Sequence, residues 1–161
     1  MRKAEIKRDT TETSIEIEVN LDGTGDYSID MPSGFMKHML ELFSKHSGID
    51  ISAKVEGDTD VDLHHTVEDT AIVLGEALKK ALGEKKGIER YGWTMLPMDE
   101  ARCDVSVDLC GRANMVYNVD YPGRWDGDGA FDYDLIKEFI KALVDSLEAT
   151  IHINRVYGVN N

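Results

Sequence analysis

The chain has 161 residues, of which 42% are hydrophobic and 30% charged, and its formal net charge is −13. That length holds one substantial core or two small similar halves, and the charge excludes the basic field that non-specific nucleic-acid binding needs. No apolar run approaches the roughly 18 residues of a membrane span, MRKAEIKRDT lacks the apolar stretch of a signal peptide, and Cys103 and Cys110 are too few for a disulfide scaffold. The expectation is a cytoplasmic protein.

Ile6 sits in a short opening strand. Ile15, Ile17, Val19 and Leu21 alternate with polar residues, the mark of a half-buried strand. Asp22 to Asp26 form a polar connection, beyond which Tyr27, Ile29 and Met31 resume the alternation, so a hairpin is expected here. From Phe35 the period becomes helical: Phe35, Met39, Leu42, Phe43 and His46 define the expected apolar stripe, and Gly48 ends it. Ile49, Ile51, Ala53 and Val55 make the next strand. A helix then runs to about Leu82, with Asp62 as its expected N-cap and Val67, Ala71, Leu74, Leu78, Ala81 and Leu82 facing inward. Gly83 closes it.

The second half repeats this order. Cys103, Val105, Val107 and Leu109 alternate along one strand, with Cys103 a core thiol, and Ala113, Met115, Tyr117 and Val119 along its expected neighbour. Pro97 and Met98 before Asp99-Glu100 read as a turn, and Asp120 to Gly129 as an exposed loop. Leu135, Ile136, Phe139, Ile140, Leu143, Val144 and Leu147 form a second amphipathic stripe, and Ile151 and Ile153 a final strand. The pattern divides into α/β halves at residues 1–86 and 87–161. By symmetry one more helix would follow, and without it apolar surface of the second half is left for a partner.

The densest chemical signal is His64-His65-Thr66-Val67-Glu68. At a helix start, His64 and Glu68 are four apart and His65 and Glu68 three apart, so one carboxylate is within reach of both rings. Imidazole with carboxylate suits manganese, iron, zinc or nickel better than calcium, and Asp60, Asp62 and Asp69 are candidates to orient the ring N–H groups. The same residues equally describe a polar helix start facing water. His38 lies beside the first helical stripe, His46 on its apolar side near the helix end, and His152 alternates away from the core. Glu12 stands at a strand entrance and gains meaning only beside a substrate that needs proton transfer. Arg90 and Arg112 offer the bidentate donors of a phosphate clamp, or simple surface ion pairs.

Together, RDTTETSI with the following DGTG, FMKHMLELFSKHS, DVDLHHTVEDTAIVLGEALKKALG, GIERYG, PMDEA, DLCGR, EFIKAL and TIHINRVYGVNN resemble the imidazoleglycerol-phosphate dehydratase family in the expected order along almost the whole chain. The resemblance implies an internally duplicated α/β (α+β) fold, each half a mixed sheet backed by two helices, like the ribosomal protein S5 domain 2-like fold. It implies a lyase that dehydrates D-erythro-imidazole-glycerol phosphate to imidazole-acetol phosphate in histidine biosynthesis, with two manganese ions per complete site and trimers combined into a 24-subunit shell. His38, His64, His65 and Glu68 match metal ligands. Arg90 and Arg112 match phosphate- and substrate-contacting positions, and Glu12 matches an acid/base glutamate. On this reading Glu12, Glu68 and His65 work at the reacting atoms, while His38, His46 and His64 line the substrate.

Two positions depart from the family pattern. Glu138 stands where the family often has another metal-binding histidine, and Cys110 where it usually has serine. A carboxylate still binds manganese, so Glu138 is retained as a candidate ligand. The resemblance further implies a second HHxxE helix after GVNN; a protein ending at Asn161 is expected to have little dehydratase activity. Two other readings remain open from the residues, a dinuclear metal-dependent hydrolase and a catalytically impaired, truncated metal-binding assembly subunit.

Overall fold

A computed structural model of the chain describes residues 1–120 and 132–158. The loop expected at Asp120 to Gly129 lies, beyond Asp120, outside the described residues. Eleven elements follow one another: β1 (Lys3–Asp9), β2 (Thr13–Asn20), β3 (Tyr27–Asp30), α1 (Gly34–Ser47), β4 (Asp50–Gly57), α2 (His64–Leu82), β5 (Tyr91–Met98), β6 (Ala101–Asp108), β7 (Asn114–Asn118), α3 (Asp134–Leu147) and β8 (Thr150–Tyr157). They build two four-stranded mixed sheets of matching order, β1-β2-β4-β3 and β5-β6-β8-β7. The chain is thus two similar halves in which α1 and α3, and β4 and β8, occupy equivalent places.

The expected pairing of β3 with β2 is wrong, and so is that of β7 with β6. In each half the later strand inserts: β3 lies parallel to β4, and β7 parallel to β8. Alternation identifies a strand but not its partner. A helix between two strands favours a parallel crossover, and that is the signal the short Asp22–Asp26 connection obscured. Pro97 and Met98, expected in a turn, instead end a strand over residues 91–98. That strand is β5, an antiparallel partner of β6 that includes Pro97, which an edge strand tolerates because its outer N–H positions need no ladder partner. Asp99, at φ 48°, turns the chain into β6.

The core sits between the first sheet and α2. Ile15, Ile17 and Val19 of β2 and Ile51, Ala53 and Val55 of β4 meet the helical face of Val67, Ala71, Leu74 and Leu78. The other side of α2 packs on α3, so the helix is buried nearly all round. Gly75 permits that approach: a Cβ there would stand 2.7 Å from Ser146 Cβ and 3.0 Å from the Leu143 carbonyl oxygen. Helix α1 is capped by the Ser33 hydroxyl, which accepts the Met36 N–H at 3.3 Å, and by Gly48 at φ 75°. Its buried face is Met36, Leu40 and Ser44, one position off the expected stripe. Phe35, Met39 and Phe43 are more exposed and, together with Met36 and Leu40, border a cavity of about 350 Å³ between α1 and α3. Among the described residues no helix is long and apolar enough to cross a membrane.

Candidate active site

Helix α2 follows β4 after the turn of residues 58–63, and Gly57 lets the strand end pass close to the helix, since a Cβ on it would collide with the Thr66 hydroxyl oxygen. The N-cap is Leu63 rather than Asp62. Asp62 still serves the helix start, because its carboxylate accepts the His64 N–H at 2.7 Å. This arrangement presents His64 and His65 at the exposed end of the helix with their rings edge to face, 5.8 Å between centroids and 78° between planes.

The adjacent histidines face different partners. His64 Nδ1 lies 3.9 Å from Glu68 Oε2, one helical turn on. His65 Nδ1 is 3.0 Å from Asp58 Oδ2, and that hydrogen bond, with the Asp58 charge and more weakly those of Glu12 and Asp62, raises the His65 pKa. Asp58 thereby holds the ring by Nδ1 and leaves Nε2 as the nitrogen for another partner, the arrangement by which carboxylates orient metal-binding imidazoles. Asp58 Oδ1 is buried with no hydrogen-bond partner among the described residues. Sequence reasoning named Asp60, Asp62 and Asp69 for the orienting role and missed Asp58. It lies seven residues before His65, beyond helical reach, and only the bend after β4 brings it back.

Glu12 stands in the turn between β1 and β2. The Thr11 hydroxyl foremost, with the Glu12 backbone N–H and the His65 charge, holds its carboxyl below the ordinary value. It is therefore an ionised, exposed carboxylate at neutral pH, within electrostatic reach of His65. Glu12 and the helix start thus belong to one end of the first sheet.

Arg90 precedes β5 and Arg112 follows β6, which places both at the end of the second sheet opposite to the one that matches Glu12 and the α2 start. Arg90 clasps Asp108 with both prongs, Nε to Oδ1 at 2.6 Å and Nη2 to Oδ2 at 3.0 Å, and rests over the Tyr91 ring at 4.9 Å. Asp108 is held below its ordinary pKa chiefly by Arg90, with a smaller contribution from Arg112. Asp108 thus pairs with Arg90, and Arg112 acts on the same carboxylate electrostatically.

The remaining expected residues are dispersed. His38 is exposed on α1, and His46 is exposed in its last turn rather than on the apolar side. Glu138 is half-buried on α3 at the fifth helical position, as His38 is on α1. His152 is exposed on β8. Among the described residues no three His, Cys, Asp or Glu side chains converge closely enough to hold a metal ion. Cys103 is partly buried, and that burial raises its thiol pKa.

A duplicated α/β chain with a paired-histidine helix start, a nearby carboxylate and a separate guanidinium pair has the parts of an enzyme acting on a small anionic substrate. A family model described as imidazoleglycerol-phosphate dehydratase matches residues 32–161. The chain is 52% identical over 160 residues to the imidazoleglycerol-phosphate dehydratase of Clostridium acetobutylicum, covering 99% of this chain and 80% of that protein. It is 47% identical over 161 residues to the Oceanobacillus iheyensis protein of the same name, covering 100% and 82%. Its fold superposes on the crystal structure of the Staphylococcus aureus imidazoleglycerol-phosphate dehydratase with a TM-score of 0.85 at 33% identity, over 98% of this chain and 86% of that one. The corresponding figures for the Pyrococcus furiosus enzyme are 0.81, 34%, 96% and 81%. The chain belongs to the imidazoleglycerol-phosphate dehydratase family.

Proposed function

We propose that the protein dehydrates D-erythro-imidazole-glycerol phosphate to imidazole-acetol phosphate in histidine biosynthesis, a hydro-lyase reaction. The observation that carries this reading is the family match across residues 32–161, a span that includes His64-His65-Thr66-Val67-Glu68. In the reaction the hydroxyl beside the imidazole ring leaves, a proton is lost from the neighbouring carbon, and the resulting enol becomes a ketone. The phosphate ester is untouched.

The donors suit manganese in kind. His64 and Glu68 face each other across one helical turn, and His65 keeps one nitrogen for another partner because Asp58 occupies the other. They do not suffice in number, so His38, Glu138 and donors outside the described residues complete the sphere, which fits a site shared between subunits of a trimer-based, 24-subunit assembly. Bound manganese, two ions per complete site, supplies Lewis-acid charge stabilisation. The chain's own side chains do the rest. Glu12, ionised at neutral pH, accepts or returns the proton at the reacting carbons, with His65 and Glu68 beside it. Arg90 and Arg112 take the phosphate and hold the substrate in one orientation, and His38, His46 and His64 line its path. The halves divide at residues 86 and 87, the fold is of the ribosomal protein S5 domain 2-like kind, and the protein works in the cytoplasm.

The test is a product analysis on the manganese-loaded protein. A new ketone with the phosphate still esterified is expected. Release of inorganic phosphate would point to a dinuclear hydrolase instead, and metal-dependent assembly with neither product to a non-catalytic subunit.

A further inference from the structure

The turn that carries Glu12 is tied to the histidine-bearing helix by a hydrogen-bond chain whose direction is forced. Asp69 follows Glu68 on α2, and its side chain is only 14% exposed. Its Oδ2 accepts the Thr13 hydroxyl at 2.6 Å, and its Oδ1 accepts Arg8 Nε at 3.2 Å. A carboxylate offers only lone pairs, so the Thr13 proton is committed to that bond. The contact of 3.1 Å between the Thr13 and Thr10 hydroxyls therefore has Thr10 as donor. With its proton spent, Thr10 Oγ1 accepts the backbone N–H of Glu12 at 3.2 Å and of Thr13 at 3.0 Å. The Thr10 N–H closes the turn on the Thr13 carbonyl at 2.8 Å.

These bonds are not what holds the helix to the sheet. Val67 and Ala71, both fully buried, do that against the apolar face of β2 and β4. The polar chain runs instead to the one segment of the first sheet that carries Glu12, and Thr13 within it is 4% exposed. Helix α2 thus carries two kinds of residue in consecutive positions: Glu68 faces His64, while Asp69 reaches back to the turn.

We infer that Asp69 is a positioning residue, which through Thr13 and Thr10 sets where Glu12 stands relative to His65 and Glu68 without touching substrate itself. The inference rests on the reading of Glu12 as the acid/base group. A displacement of about 1 Å at such a group is enough to cost about 100-fold in rate, so anchoring the turn to the helix that holds the other site residues has a direct kinetic consequence.

The experiment is a double-mutant cycle on the assembled, manganese-loaded enzyme, with kcat and KM measured separately. Asp69→Ala and Thr13→Val are each expected to lower kcat about 10- to 100-fold with KM little changed, at undiminished metal content. Thr13→Ser, which keeps the hydroxyl, is expected to retain most of the turnover. In a Glu12→Gln background, itself slower by at least about 100-fold, neither change should lower kcat further. Losses that multiply in that background would overturn the inference while leaving Glu12 its role. Parental turnover by Glu12→Gln would overturn the reading of Glu12 and the inference together. Should Asp69→Ala fail to fold, Thr13→Val removes one hydroxyl at nearly constant shape and decides the question alone.

Discussion

Strand β2 presents Ile17 and Val19 to α2 at no more than 1% exposure, opposite Ala53 and Ile51 of β4. In the second sheet Val105 and Val107 of β6 hold the matching register positions, opposite Ile153 and Ile151 of β8, yet both valines are only partly buried. The difference lies in what covers each sheet. Helix α2 lies over β1, β2 and β4, whereas α3 packs beside β7. Strand β5 is exposed at all eight positions, Trp93 at 78%. The same strand pattern therefore yields a core in one half and open apolar surface in the other, because a strand's alternation declares a face for burial without supplying the layer that buries it.

The sharpest way to break that comparison is to truncate equivalent positions. Ile17→Ala should destabilise by about 2–5 kcal/mol, the cost of a cavity among fully buried neighbours. Val105→Ala, at the matching register, should cost under about 1.5 kcal/mol, since only part of its surface has left water. Urea unfolding of the two variants checks this. Equal losses would mean that the second sheet is as well covered as the first.

The helices offer a second comparison. His38 and Glu138 occupy the same position on two 14-residue helices, one an imidazole and the other a carboxylate. On the proposed metal reading, His38→Ala should weaken manganese binding by at least about tenfold, which is about 1.4 kcal/mol, and Glu138→Gln by less. Glu138→His, which replaces the carboxylate with a nitrogen donor, should recruit zinc or nickel more strongly than manganese. Metal titration with calorimetric or atomic-absorption readout measures all three. If none of the variants changes affinity, neither His38 nor Glu138 is a metal ligand.

Much of the element order was legible because side-chain period depends on local geometry: Ile15-Ile17-Val19 and Val67-Ala71-Leu74-Leu78 declare a strand and a helix wherever they fall. The pairing of β3 and β7 was not, since both depend on which strand returns after a helix. The face of α1 was misjudged because Met36 and Leu40 are buried while Phe35, Met39 and Phe43 beside them are more exposed, and one sequence carries both stripes. At the site, His64, His65 and Glu68 stood out through contiguity. Asp58 and the Thr13–Asp69 bond did not, because contacts between residues 7 and 56 apart have no local signature.

The smallest expected effect concerns one register position at which the halves have diverged. Asp50 of β4 and Thr150 of β8 open equivalent strands, opposite Asn20 and Asp108. Asp50 accepts the backbone N–H groups of Thr24, Gly25 and Asp26 and the Asn20 side chain. Those bonds, the Thr24 N–H foremost, hold its carboxyl at about 2 against an ordinary 3.8. In the second half the carboxylate has crossed to the partner strand as Asp108, where it meets Arg90, while Thr150 donates its hydroxyl to the Arg112 carbonyl at 3.2 Å. The first half thus uses the acid to order a turn and the second to hold an arginine. A folded-state pKa below the unfolded one contributes stability that is complete above 3.8 and is lost as pH falls towards 2. Asp50→Asn should therefore unfold at a lower temperature than the parent at pH 6, with the two melting curves converging between pH 4 and 2. Thr150→Val, lacking any carboxylate at that position, should show a small difference from the parent that does not change over the same range. A gap for Asp50→Asn that stayed constant down to pH 2 would show that the side chain's shape, and not its charge, orders the Thr24–Asp26 turn.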